Sequence, residues 1–211
     1  MKRLATILLS ALLLTVLSCN SGSGEQKKDS LDSTAVQIKP LVKQTQQDSI
    51  RTKGLKILTA LKEENYSLLS RYFSKTGVYF SPYGFLDTTN CKKLSATDLL
   101  QSIENNWILT WGSYDGTGEP IKLTTKAFFK KFVYNKDYSK AKDVGYDTLI
   151  QKGNSLVNIE QVFPGQHFLD YHFKGFDKKY EGMDWTSLIL VFSKEEDGYF
   201  LKGVIHHQWT I

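Results

Sequence analysis

Apolar and polar residues alternate most clearly at the C-terminal end of the chain. Residues 187–194 read Ser-Leu-Ile-Leu-Val-Phe-Ser-Lys, a continuous apolar run closed by polar side chains. Glu195, Glu196, Asp197 and Gly198 follow, and Asp-Gly between two strand-like runs signals a hairpin. In the second run Tyr199, Leu201, Gly203, Ile205, His207, Trp209 and Ile211 fall on one face, because side chains alternate along a strand. Phe200, Lys202, Val204, His206, Gln208 and Thr210 fall on the other. A two-stranded ribbon does not stand alone in water, so this pattern demands helices or further strands against it.

Upstream, Ile50, Leu55, Leu58 and Leu61 are spaced as a helix stripe, and Tyr66, Leu69 and Phe73 resume that spacing after a break at Glu64 and Asn65. Val78, Tyr79 and Phe80 predict a short strand, and Ser81-Pro82-Tyr83-Gly84 a turn. Ser95 with Asp98 three residues on is a capping box ahead of Leu99, Leu100, Ile103 and Trp107. Residues 108–111 predict another strand and residues 112–120 a glycine-containing loop. Thr124 or Thr125 caps a helix that turns Phe128, Phe129, Phe132 and Val133 toward a core. Residues 143–153 predict a short helix, 154–163 a strand and 166–173 another strand after the Pro164-Gly165 turn. Helices first and antiparallel strands last predict an α+β domain, with N-terminal helices packed on one face of a curved antiparallel sheet.

The N-terminus has a different character. Lys2 and Arg3 precede residues 4–17, apolar apart from Thr6, Ser10 and Thr15, and this run is too short to span a bilayer comfortably. It has the layout of a secretory signal. Val16-Leu17-Ser18-Cys19 resembles the lipobox of bacterial lipoproteins, which implies removal of residues 1–18 and acylation of Cys19, palmitate included. Cleavage nearby as an ordinary signal peptide is the other reading. Several acyl chains, at about 0.8 kcal/mol per buried CH₂, hold a protein firmly to a membrane. The resemblance thus implies an exported protein anchored in the cell envelope, on the outer membrane if there are two. Residues 19–48, rich in Ser, Gly, Gln, Lys and Asp, predict a flexible tether, and residues 49–211 a single domain. With Cys19 acylated, Cys91 has no cysteine to pair with.

The formal charge of +5 becomes 5 − 2 = +3 without Lys2 and Arg3. The lysines are dispersed among acidic residues, whereas a nucleic-acid binder concentrates them on one face. Nucleic acid is therefore not an expected partner, and no motif calls for a cofactor.

Four stretches have a more distinctive look. Residues 77–83 (Gly-Val-Tyr-Phe-Ser-Pro-Tyr), 110–121 (Thr-Trp-Gly-Ser-Tyr-Asp-Gly-Thr-Gly-Glu-Pro-Ile), 180–185 (Tyr-Glu-Gly-Met-Asp-Trp) and 205–211 (Ile-His-His-Gln-Trp-Thr-Ile) resemble a group of uncharacterised bacterial lipoproteins and secreted proteins. The similarity spans roughly residues 55–211 and brings no activity with it. Some of that group read Arg in place of Tyr79 and an acidic residue in place of His207. More loosely, a helix pair followed by a sheet with a long terminal strand resembles the NTF2-like cone, whose pocket serves catalysis in some members and only binding in others.

Candidate chemistry lies with the histidines and the aromatics. His167, His172, His206 and His207 all sit on predicted strands, and Asp170 shares a strand face with His172. If Lys194 pairs with Tyr199, Ser187 lies opposite His206, and His172 lies two strand spacings away. That is about 10 Å, against metal–imidazole bonds of roughly 2.1 Å, so a shared metal is not expected. An acid–base role for His206 or His207, with Asp170, Glu160 or Asp184 as partner, fits imidazole chemistry better. The loop from Asp115 to Glu119 lacks the spacing of a calcium loop and reads as a structural turn. Cys91, beside Lys92 and Lys93, reads as a structural thiol. Most aromatics belong in a core, but Trp111, Tyr114 and Tyr83 beside glycine-containing turns are candidates for stacking on a glycan or peptide.

Two functions fit these features. One is a lipid-anchored domain that binds a small molecule, glycan or envelope protein without catalysis. The other is an NTF2-like enzyme that would set His206 or His207 in a pocket against a carboxylate. Cells fed radiolabelled palmitate are expected to label the wild-type protein and not Cys19→Ser, which should leave the membrane fraction. Label retained in the variant would contradict the lipobox reading.

Overall fold

The computed structural model describes residues 45–210 apart from Ser155. The expected signal peptide, Cys19 and most of the tether lie outside these residues. Helix α1 (Gln46–Lys62) starts within the expected tether, because Thr45 and Asp48 form a reciprocal capping box that satisfies two of its free N–H groups. Helix α2 (Tyr66–Ser70) is capped by Asn65. Strands β1 (Val78–Ser81) and β2 (Lys92–Leu94) follow, then helix α3 (Ala96–Glu104), opened by the expected Ser95–Asp98 box. Strands β3 (Ile108–Ser113) and β4 (Pro120–Thr124) form a separate two-stranded sheet. Thr124 caps the short helix α4 (Thr125–Phe128), which widens into one π-helical turn over Phe129–Val133. The remaining elements are β5 (Asp143–Tyr146), α5 (Ile159–Val162), β6 (His167–Phe173), β7 (Thr186–Glu195) and β8 (Gly198–Gln208).

The main sheet runs β2-β1-β8-β7-β6-β5. Its neighbours are antiparallel except β1 and β8, which pair in parallel, so the expected antiparallel sheet is in fact mixed. The protein is therefore α+β, with a curled, mostly antiparallel sheet.

Two expected elements exchange character. Residues 143–146 form an edge strand rather than a helix, registered on β6 from Asp143↔His172 to Tyr146↔Leu169. Pairing overrides a local pattern too short to specify either state. Residues 159–162 form a helical turn rather than a strand, which sets Ile159 and Phe163 one turn apart and buries both.

A third difference has wider effect. Lys194 pairs with Tyr199 as the hairpin pattern predicts, but the register slips further along, with Phe192 opposite Leu201 and Val191 opposite Gly203. Lys202 is the extra residue of a β-bulge. Past it every side chain of β8 moves to the opposite face from the one that strict alternation assigns. Tyr199, Leu201 and Val204 face one core, and Ile205 faces a second.

The first core fills the space between the sheet and α1–α4. Trp111 stacks on Phe128 with centroids 4.0 Å apart and planes 7° from parallel, and Phe80 meets both Trp111 and Phe129. The second core lies on the opposite face, where Leu86, Ile159 and Phe163 cover Ile189, Val191 and Ile205.

Gly54 shows how closely α1 is seated. A Cβ there would fall 2.6 Å from a Leu169 methyl and closer still to the Tyr171 hydroxyl. Ala is ordinarily the better helix former by about 1 kcal/mol, but here overpacking wins. Gly54→Ala is expected to lower the urea-unfolding free energy by about 1–3 kcal/mol, and adding Tyr171→Phe to recover part of it. A more stable Gly54→Ala protein would show that α1 is not held at this distance.

Candidate functional site

The bulge decides where the histidines go. His206 points into the first core, where the Phe132 ring lies 6.0 Å away and Nε2 donates to Gln208 Oε1 at 2.9 Å. His207 points into the second, edge-on to Trp185 at 4.7 Å, with Gly84 and Val157 close by. Ser187 therefore lies opposite His207 rather than the expected His206, giving the row His172–Ser187–His207 across three strands. His172 Nδ1 and Ser187 Oγ are 2.9 Å apart, and Trp185 also lies 5.7 Å from the His172 ring.

This row has several ingredients of an acid–base site in the wrong arrangement. His172 meets the Ser187 hydroxyl through Nδ1 while its Nε2 meets no carboxylate, so the imidazole does not bridge serine and carboxylate as a hydrolase triad requires. Asp170 Oδ2 accepts the Ile150 N–H at 2.8 Å. All four side chains are buried, and Asp170 Oδ1, His172 Nε2, the Trp185 indole nitrogen and both His207 nitrogens have no hydrogen-bond partner among the described residues. Burial pushes the Asp170 carboxyl up to about 6, against the pull of Ile150 N–H and Ser187. Burial lowers His206 to about 4, against the opposing hydrogen bonds to Gln208 and the Phe132 backbone. It also lowers His207 to about 4, with His206 and His172 adding to the effect. His172 is lowered too, by burial first, with Asp143 and Lys174 pulling in opposite directions.

Neither candidate base thus meets a carboxylate. Glu160 is exposed on α5, and Asp184 is committed elsewhere. The short His–carboxylate pair is one the sequence did not single out: His167 Nδ1 lies 2.7 Å from Asp147 Oδ2. Its Nε2 is taken by the Gln46 amide at 2.6 Å, and Tyr146 stacks on the ring. Those bonds tie α1 to β6 and leave no ring nitrogen for a substrate. Among the described residues no group of three or more His, Cys, Asp or Glu is placed to hold a metal ion.

The candidate aromatics divide. Trp111 is fully buried and donates its indole N–H to Leu123 O at 2.9 Å, so it is core and presents no face to a ligand. Tyr83 packs edge-on against Phe132, and the Tyr114 hydroxyl accepts from Lys131 Nζ at 3.0 Å. Both remain partly exposed. The loop at Asp115–Glu119 closes on itself through Gly118 N–H to Tyr114 O and Tyr114 N–H to Glu119 O. Cys91 is pushed up to about 11 by burial and then by Asp87, which makes it inert as a nucleophile.

Three of the five exposed aromatics among the described residues, all but Phe85 and Trp107, cluster elsewhere together with Met183. Phe176, Tyr180, Met183 and Trp209 are 53%, 46%, 44% and 39% exposed, far above the aromatics of the cores. They flank two hollows of about 360 and 230 Å³ that share Met183, Asp184 and Trp209 and so form one cleft. Its floor is polar, built from Asn135, Thr186 and Gln208 with Trp185 beneath.

The loop that carries this rim is tightly specified. Asp184 Oδ2 accepts the N–H groups of Phe176 and Asp177, both at 2.9 Å. Burial works against its charge, but those N–H groups prevail and hold the carboxyl below its ordinary value. Gly175 is required, because a Cβ there would collide with Asp184 Oδ1 and lie 2.5 Å from the Gly182 backbone. Tyr180 ends a short 3₁₀ turn capped by Asp177. Trp209 is held past the end of β8 by Asn154, which donates to Thr210 O and accepts its N–H. Residues 180–185 and 205–210, two of the stretches on which the family resemblance rests, meet in this cleft.

The buried imidazoles give the protein a defined acid limit. Their stabilising contribution is complete above about 6.5 and drains away as pH falls through about 4, each on the order of 3 kcal/mol. Asp170 has the opposite sign: its contribution is complete below 3.8 and lost as pH rises through about 6, so it offsets part of the histidine loss on acidification. Urea-unfolding stability is expected to fall between pH 6.5 and 4, less steeply in His207→Asn and more steeply in Asp170→Asn. A flat profile in the wild type would show that these rings are not buried uncharged.

The chain matches no protein-family model and no curated protein, so what the cleft does rests on its geometry.

Proposed function

We propose that this is a lipid-anchored envelope protein whose α+β domain, read as NTF2-like, binds a ligand without catalysing its conversion. The observation that carries this is a division of side chains. The histidines on which acid–base chemistry would depend are packed uncharged and away from carboxylates, while four apolar side chains stand exposed around a polar-floored cleft. Exposed aromatic surface costs free energy unless a partner covers it.

The NTF2-like reading draws on the opening helices, the curled sheet and the long terminal strand. In this chain the space between sheet and helices is taken by Phe80, Trp111 and the phenylalanines of α4 and its π turn. The ligand site of this reading is accordingly displaced from the middle of the cone to the ends of β7 and β8, where Thr186 and Gln208 line the cleft. The lipobox at Cys19 and the tether composition of the residues between it and α1 support the membrane anchor. Among the described residues no helix is long and apolar enough to cross a membrane.

A thermal-shift screen of the purified protein against sugars, peptidoglycan fragments, peptides and lipids tests the reading. One class is expected to raise the melting temperature, with the rise abolished by Trp209→Ala and kept by Tyr114→Ala. Product formation from the bound compound, lost in His207→Asn, would establish the enzyme reading instead.

A further inference from the structure

The chemistry of the cleft goes further than the presence of a ligand and specifies its class, provided that the cleft is the binding site. Its polar floor presents two amide donors beside one hydroxyl, Thr186, whose hydrogen is already given to the Tyr138 oxygen. Asn135 Oδ1 already accepts the Tyr138 hydroxyl at 2.7 Å, and that hydroxyl lies 3.0 Å from Thr186 Oγ1. Gln208 Oε1 accepts from His206 at 2.9 Å. With both amide oxygens engaged, the amide NH₂ groups of Asn135 and Gln208 are left without a partner among the described residues, and both residues line the cleft.

The two charged residues of the lining oppose each other. Lys136 Nζ sits 4.2 Å from the Phe176 ring centre, while Asp184 has one oxygen spent on backbone N–H groups and the other buried toward Gly175. The nearby 3₁₀ turn adds no bias, since Lys179 pairs with Asp177 at 3.3 Å and Lys178 is followed by Glu181. A strongly charged ligand finds no matching excess here. The cleft asks for an uncharged molecule with flat apolar faces for Phe176, Tyr180 and Trp209 and oxygen acceptors along its edge for the amides.

We propose that the cleft binds a neutral oligosaccharide. A pyranose ring carries both features at once: its C–H faces stack on aromatic rings, and its ring and hydroxyl oxygens accept hydrogen bonds at the rim. The larger hollow, about 360 Å³, falls within the size range of small-molecule sites, and the second, about 230 Å³, adjoins it at Trp209, the arrangement that a short chain of sugars occupying both requires. A peptide adding a strand to the sheet would find β7 paired on both sides and only the three residues of β8 past Ile205, where β1 no longer runs alongside, which is a short edge for such pairing.

The test uses a printed array of short neutral oligosaccharides, with a set of proline-rich peptides and anionic phospholipid vesicles as parallel arms. Hits are followed by titrating tryptophan fluorescence of the soluble Cys19→Ser protein. Binding of at least one neutral oligosaccharide is expected, with affinity reduced at least tenfold by Trp209→Ala and by Tyr180→Ala. Gln208→Leu should weaken it, whereas Tyr114→Ala should not. Binding of the peptides or vesicles alone, abolished by Trp209→Ala, would overturn the saccharide assignment and leave the cleft as the site. No binding in any arm would overturn both.

Discussion

Strand β8 is buried on both faces from Gly203 to His207, and most of the molecule is arranged to satisfy that condition. Successive side chains of a strand point in opposite directions, so adjacent buried residues such as His206 and His207 require a cover on each side. One cover is the aromatic core built on α4 and its π turn, and the other comes from Leu86, Ile159 and Phe163. Two imidazoles enclosed in this way, with no carboxylate beside them, gain nothing from charge and lose much by acquiring it. They serve as uncharged packing groups, and a base lowered to about 4 and held away from solvent is poorly placed to take a substrate proton.

The same arrangement connects the core to the cleft. Trp185 is cleft floor on one side and the neighbour of His172 and His207 on the other, and Gln208 both lines the cleft and accepts from His206. The rim itself stands on a loop fixed by Asp184 and on a terminal segment clamped by Asn154. A rigid, buried base beneath exposed rings is the preorganisation that a weak, stacking-dominated ligand needs, because little entropy remains to be lost when it binds.

Much of this fold is legible in the chain. The terminal hairpin, the Ser95–Asp98 capping box and the inward turn of Phe128, Phe129, Phe132 and Val133 all follow from spacing and cap chemistry, whereas the Thr45–Asp48 box falls in what reads as tether. The bulge is not legible, because an inserted Lys202 looks like any outward-facing lysine in an alternating pattern, yet it moves every later side chain of β8 to the other face. The short edge strand at Asp143–Tyr146 escapes for another reason: four residues carry too little period to be told from a helix, and their state is set by β6. At the site, Trp209 and the Tyr180–Trp185 stretch are visible in the sequence as unusual, but nothing there tells that Trp111 is buried while Trp209 is not. Exposure of an aromatic depends on what the chain folds over it, and that is a tertiary property.

The uncharged, doubly enclosed state of β8 is tested most directly by following the ring proton resonances of His206 and His207 through an acid titration. Both rings are expected to stay neutral through the ordinary imidazole range and to titrate near 4, together with the loss of folded structure. Midpoints at or above 6.5 in the folded protein would contradict this, and would restore these histidines as groups able to move a proton.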